Sequence, residues 1–172
     1  DGRKMVEAAR KYKRIVQVGL QSRSGPSFDS AIEYVRSGKL GEIYLARVYN
    51  MMLHNPIGKT KEEPIPEGLD YDLWCGPAPM LPYRPGSWWN GLWDFSCGGI
   101  PGDLCHQMDL VRYLIGKTYP DSVSHQGGVF HLKDGREQPD TQIAMYEFGP
   151  LTLLAQSCLW APYMLKTPTF IR

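Results

Sequence analysis

Apolar residues recur at helical spacing from the start of the chain. Met5, Ala8, Ala9 and Tyr12, with charges between them, predict a helix over 2–13. The short apolar run IVQVGLQ at 15–21 predicts a buried strand. A helix followed by such a strand is the repeating unit of a doubly wound α/β sheet. Residues 1–22 are therefore expected to be the last piece of a domain of that kind. Ser24-Gly25-Pro26 marks a turn, and Ser24 or Ser27 is expected to cap a helix running to Ser37. Phe28, Ala31, Ile32 and Val35 share one of its faces. Gly38 ends it, Gly41 opens the next element, and the β-branched and aromatic run at 42–53 predicts a long strand.

The pattern then breaks. Residues 54–92 hold half of the prolines together with Trp74, Trp88 and Trp89. Disordered segments lack aromatics, so a long ordered loop is expected here, of a kind that commonly carries function. SCGGIPGD (96–103) reads as a glycine-rich turn, and 103–116 as an amphipathic helix with Leu104, Met108, Val111 and Leu114 or Ile115 on its apolar face. Strand-like runs follow at 121–132, 141–148 and 151–160, the last two joined as a hairpin by Gly149-Pro150. This order predicts an α+β domain over 23–172, with a largely antiparallel open sheet and helices on one face. The chain opens at Asp1 inside a helical pattern and ends at Arg172 just after a strand-like run, so it reads as cut from a longer protein.

Composition narrows the partners. The chain has 172 residues, 42% of them hydrophobic, and a formal net charge of +1, which gives no electrostatic case for nucleic acid or membrane. Five Trp and ten Tyr suit either a ring-rich core and interface or a surface facing the C–H faces of a sugar. Cys75, Cys97, Cys105 and Cys158 have neither CxxC nor zinc-finger spacing, so free thiols in a reducing compartment are the expectation. A cytoplasmic location follows from this, or a periplasmic one if a signal peptide lies outside the segment.

The densest chemistry lies in GGIPGDLCHQMD, 98–109. Glycines permit close backbone approach at a helix start. Asp103 and Asp109 flank His106 at three residues on either side, on one side of a helix. A histidine between carboxylates suits proton abstraction from a hydroxyl. The same spacing also fits a capping Asp103, a packed His106 and a surface Asp109. A metal would need ligands from elsewhere, and none is assigned. His54, His125 and His131 are isolated and expected at edges or on the surface. Gly98, Gly99 and Gly102 do not form the dinucleotide-binding pattern.

Taken together, segments 2–24 and 31–48, LDYDLWCGPAP (69–79), 98–116 and PDTQIAMYEFGP (139–150) resemble the Gfo/Idh/MocA oxidoreductases. The resemblance covers nearly the whole chain. It implies an N-terminal Rossmann domain for NAD or NADP, of which 1–22 is the end. It also implies a C-terminal substrate domain, here 23–172, incomplete at its C-terminus. The family's Glu-Lys-Pro motif and glycine-rich cofactor loop would lie upstream. Many relatives have an Asp four residues before the histidine matched by His106. Here that position is Gly102, and Asp103 lies three before.

On this reading His106 and Asp103 are catalytic. Trp88, Trp89, Trp93, Tyr83, Asn50 and Asp109 are assigned to substrate, and Gln21 and Arg23 to the cofactor. At least two of the rings are expected to line a cleft near His106. The expected activity is hydride transfer from a sugar, polyol or sugar derivative to NAD(P), in a homo-oligomer formed through the sheet. The alternatives are an NAD-dependent glycosidase of the same family, or a non-catalytic oligomerisation or binding domain. The segment alone is expected to be inactive and not to bind NAD(H) usefully, because the phosphate-binding loop is absent.

Overall fold

A computed structural model describes residues 2–54, 56–57 and 60–160. The strand-like run before Arg172 lies outside the described residues. Helix α1 spans Gly2–Lys11 and buries none of its side chains. The strand expected over 15–21 does not form: 14–20 have no regular structure, and Val16 and Val18 are exposed. No neighbouring strand among the described residues offers this segment a ladder, and without one β propensity has nothing to pair with. A 3₁₀ turn, Gln21–Ser24, follows.

Helix α2 covers Pro26–Arg36. Its cap position is Gly25 rather than Ser24 or Ser27, with no side-chain capping bond. Pro26 starts the helix instead, its ring fixing a helical φ where no amide hydrogen is needed. Of the expected face, Ile32 is buried, Phe28 and Val35 are half-buried, and Ala31 is exposed.

Strand β1 (Leu45–Met51) is shorter than the 42–53 expected. Helix α3 (Tyr71–Cys75) is capped by the Asp70 carboxylate, which accepts the Leu73 N–H at 2.9 Å. A π-helical turn, Ile100–Leu104, runs directly into helix α4, Cys105–Ile115. The glycine-rich turn is thus already helical, and the helix begins earlier than the sequence pattern suggests. Strands β2 (Ser122–Gly128), β3 (Thr141–Phe148) and β4 (Leu151–Cys158) complete the sheet. β2 stops short of 132. The Asp140 carboxylate draws the chain away there by accepting the N–H groups of Phe130, His131 and Leu132.

The strand order is β1-β4-β3-β2. β2–β3 and β3–β4 are antiparallel, while β1 lies parallel to β4, with Leu45 beside Thr152 and Met51 beside Cys158. The β3–β4 hairpin turns at Gly149, whose φ of +65° is one a side chain rarely adopts. Alternation places Val48, Ala144, Leu153 and Ala155 on one sheet face, where Ile100, Leu104, Met108, Val111 and Ile115 pack on them. Each fully buried Leu or Ile here contributes about 1.5–3 kcal/mol. The expected face of the 103–116 helix is the one that packs. The opposite sheet face leaves Leu45, Ile143 and Met145 exposed.

Candidate functional site

The helical segment enters the sheet at its glycines. Gly98 has φ +81°, and a Cβ on Gly99 would lie 2.2 Å from the Ser157 hydroxyl on β4. Only glycine lets the chain come this close. The buried Gln142 of β3 then meets the helix start, its Oε1 accepting the Ile100 N–H at 3.2 Å. Its Nε2 stands 3.3 Å from His125 Nε2. Sheet side chains thus fix the first helical turn, and with it the placement of Asp103.

Asn50, buried on β1, donates from Nδ2 to Asp103 Oδ2 at 2.7 Å. Asp103 borders a small cleft of about 40 Å³ shared with His54, Asn90, Arg136 and Gln138. His54 Nε2 is buried and lacks a hydrogen-bond partner among the described residues. Arg136 is gripped by Asp134 through Nε at 3.0 Å and Nη2 at 2.8 Å, with both side chains almost fully buried. Burial alone would raise the Asp134 carboxyl. Hydrogen bonds from Arg136 and from the Ile57 N–H outweigh it and hold the group at about 2. Gln138 donates to the Leu92 carbonyl at 2.8 Å, tying the ring-rich loop to the segment that leads into β3.

His106 lies in the first turn of α4, half-buried, with Nδ1 shut off from solvent and unpartnered among the described residues. It does not border the Asp103 cleft. Asp109, assigned to substrate, is instead bound bidentately by Arg23, assigned to the cofactor, at 2.6 and 2.7 Å. The Arg23 guanidinium also lies over the Tyr113 ring. Gln21 and Arg23 border an open groove formed by 16–24.

The rings pack mainly with one another. Tyr71, Trp74, Tyr83, Trp88, Trp89 and Phe95 make successive stacked and edge contacts with centroids 5.5–6.2 Å apart. Trp88 is buried and donates to the Arg84 carbonyl, while Trp93 is exposed. None of Tyr83, Trp88, Trp89 and Trp93 borders the Asp103 cleft. The rings give the proline-rich loop a core of its own.

Sequence reasoning misses His54, Asn90, Arg136 and Gln138 as site residues. His54 reads there as a surface or edge histidine. A signal exists at 134–140, where Asp, Arg, Gln and Asp cluster just ahead of an apolar strand. Cys97 is exposed, and its thiol is pushed up by partial burial and by the nearby Cys105 and Asp103. Among the described residues no three His, Cys, Asp or Glu side chains gather as a metal site, and no helix is long and apolar enough to cross a membrane.

Residues 49–133 match the family described as "Oxidoreductase family, C-terminal alpha/beta domain", designated GFO_IDH_MocA_C2. No curated protein matches the chain. Among solved structures, the chain is similar to the WlbA dehydrogenase from Bordetella pertussis in complex with NADH and UDP-GlcNAcA. The TM-score is 0.67 at 18% identity, over 93% of this chain and 41% of that one. It is also similar to the aldose-aldose oxidoreductase from Caulobacter crescentus complexed with glycerol, at TM-score 0.66 and 18% identity, over 91% and 39% of the two chains. A third similar fold is GenD2 from gentamicin A biosynthesis in complex with NAD, at TM-score 0.64 and 18% identity, over 93% and 38%. The chain spans about two fifths of the length of these structures.

Proposed function

We propose, from the match of residues 49–133 to the C-terminal α/β domain of the Gfo/Idh/MocA oxidoreductases, that the protein oxidises or reduces a sugar, polyol or sugar derivative with NAD or NADP. The observation that carries the reading is the polar cleft at the helix start. There Asp103 is held by Asn50 beside His54, Asn90 and Gln138. Amides and a carboxylate around a small cleft suit the many hydroxyls of a polyol. The folds similar to this chain include a dehydrogenase in complex with NADH and UDP-GlcNAcA and an aldose-aldose oxidoreductase complexed with glycerol, which supports the same class.

The cofactor, when bound, supplies the hydride acceptor. Among the described residues, the exposed rim at 16–24 would hold an edge of it, with Gln21 facing the groove and Arg23 already engaged by Asp109. The rim fits an edge of the dinucleotide and not its phosphates, which need a glycine cradle at a helix start.

In this proposal His106 takes the hydroxyl proton as hydride leaves the carbon, and Asp103 orients the reacting hydroxyl. The two residues are a single turn apart on one helical segment, so a substrate at the cleft mouth would have to reach from Asp103 toward His106. His106→Ala in the intact enzyme is expected to lower turnover by about 10²–10⁴-fold with the fold retained. Wild-type turnover of His106→Ala or His106→Asn across about pH 6 to 9 would leave His106 a packing residue. Net NADH formation with a free polyol marks a dehydrogenase. Aryl glycoside cleavage without net NADH marks a glycosidase instead.

The exposed Leu45, Ile143 and Met145 on the outer sheet face support assembly of copies through the sheet. A light-scattering mass unchanged by Ile143→Lys with Met145→Asp would count against it.

A further inference from the structure

We propose that His125 is a positioning residue. In its neutral form it holds the Gln142 amide in one orientation, and through that amide the helix start that carries Asp103; on protonation it gives up that hold. The link to catalysis rests on the reading of Asp103 given above. The link to the helix start does not.

Three groups fix the orientation. The Ile100 N–H can only donate, so the end of the Gln142 amide facing it at 3.2 Å is the carbonyl Oε1. The amide Nε2 is thereby turned toward His125, 3.3 Å from its Nε2. An amide NH₂ can only donate, so the imidazole must accept. That requires the neutral ring, with its proton on Nδ1. A protonated imidazole carries an N–H on both nitrogens and has no lone pair to offer.

Gln142 is buried and has little freedom to move away. A Cβ on Gly98 or on Gly99 would lie 3.5 Å from its Oε1, and one on Gly127, its partner on β2, 3.1 Å from its Cγ. The two ends of the amide are nearly equal in size, so packing does not choose between its two orientations and the hydrogen bonds do. A charged His125 leaves two outcomes. In one the amide turns over, Oε1 accepts from the imidazolium, and the Ile100 N–H meets another donor. In the other the ring swings into water and a buried NH₂ is left unpaired. Each removes support from the turn that contains Asp103.

His125 is exposed on the edge strand β2, so protons reach it freely. Its neighbours on the same sheet face are Val123 and Gly127 on β2 and Gln142, Ala144 and Tyr146 on β3. Burial pushes the Tyr146 phenol up, which keeps it neutral. On the helical cover, Asp103 is tied to Asn50 at the opposite edge of the sheet and Asp109 to Arg23. His106 Nδ1 and Arg112 Nε are buried without partners among the described residues. His125 forms no ion pair among the described residues.

The test compares the intact enzyme with His125→Gln, which can accept from Gln142 at every pH, and His125→Phe, which never can. Hydrogen–deuterium exchange of the peptide covering 98–106 is read at about pH 5.5 and about pH 8, toward either end of the imidazole range. Each rate is divided by that of His125→Gln at the same pH, which cancels the intrinsic pH dependence. The unaltered enzyme should match His125→Gln at the higher pH and exchange about three- to tenfold faster at the lower one, the worth of one hydrogen bond. His125→Phe should be faster by that factor at both. At the lower pH, His125→Gln should also turn over about threefold faster or more than the unaltered enzyme. Equal exchange in all three proteins at both pH values overturns the brace. The expected exchange with identical turnover overturns His125 as a positioning residue. Absence of turnover with every sugar and polyol overturns the proposed function and leaves the exchange result to decide the brace.

Discussion

Arg23 and Asp109 stand 86 positions apart in the chain and form a two-pronged ion pair at 2.6 and 2.7 Å. It fastens the turn after the N-terminal segment to the middle of α4, the helix that carries His106. The pair is lopsided. The Arg23 side chain is 41% exposed and the Asp109 side chain only 9%.

That asymmetry predicts unequal mutants. Arg23→Met strands a carboxylate that water can scarcely reach and is expected to cost about 2–3 kcal/mol. Asp109→Asn leaves a guanidinium that can turn to solvent over Tyr113, and should cost about 1 kcal/mol. Urea melts of both variants check this. Equal losses would mean that the pair is no more buried at one end than at the other.

Asn50 and Asp103 form a brace of a different kind. Asn50→Ala removes the amide that holds the carboxylate at the cleft, and turnover in the intact enzyme should fall about tenfold, the worth of one hydrogen bond. Asn50→Asp sets two carboxylates against each other and should cost more. If both variants leave turnover unchanged, Asp103 does not act on the substrate.

Gly99 and Ser157 form a steric lock. Gly99→Ala would place its methyl 2.2 Å from the Ser157 hydroxyl and 3.1 Å from its Cβ. The expected cost is about 1–3 kcal/mol. Ser157→Ala alone should be near neutral, because that hydroxyl is buried without a partner among the described residues. The double variant should recover part of the Gly99→Ala loss. Strict additivity in thermal melts would mean that the two residues do not press on each other.

Two buried carboxylates are expected to make the fold sensitive to acid. Asp134 sits at about 2 against its ordinary 3.8. Asp140 is also lowered. Burial would raise it, but the N–H groups of Leu132, Phe130 and His131 and the Thr141 hydroxyl prevail. A folded-state value below the unfolded one gives stability that is complete above the unfolded value and drains away as pH falls through the folded one. For Asp134 that window runs from about 4 down to about 2 and is worth about 2 kcal/mol. Asp134→Asn should flatten the fall in stability over this window in urea melts taken at several pH values. An unaltered slope would assign the acid sensitivity elsewhere.

The sheet and its covering helix are legible in the sequence because alternation and helical spacing are local signals. β3, β4 and the α4 face that packs on them can be read from 141–160 and from Leu104 to Ile115. The parallel seat of β1 is not legible, since pairing partners far apart leave no mark on either segment. The failure at 15–21 has the same cause in reverse: the residues favour a strand, but a strand needs a neighbour. At the site, the glycines signal a helix start near Asp103, but the helical turn begins at Ile100, so Asp103 lies inside it and caps neither it nor α4. The Asp109–Arg23 pair escapes the sequence, since spacing on one helix cannot reveal a cation arriving from another element. The ring-rich loop is recognisable as ordered. Its rings, Trp88 among them, form a private core.

The position of β1 also bears on how the chain reaches its folded state. The β3–β4 hairpin joins neighbours across Gly149-Pro150 and can close within microseconds. β1 must find β4 across the whole ring-rich loop, α4 and β2, as the pairing of Leu45 with Thr152 requires. Ordering so long an intervening stretch before any ladder bond rewards it makes edge docking the slow event. Until β1 arrives, the edge of β4 is open to pairing with the wrong chain.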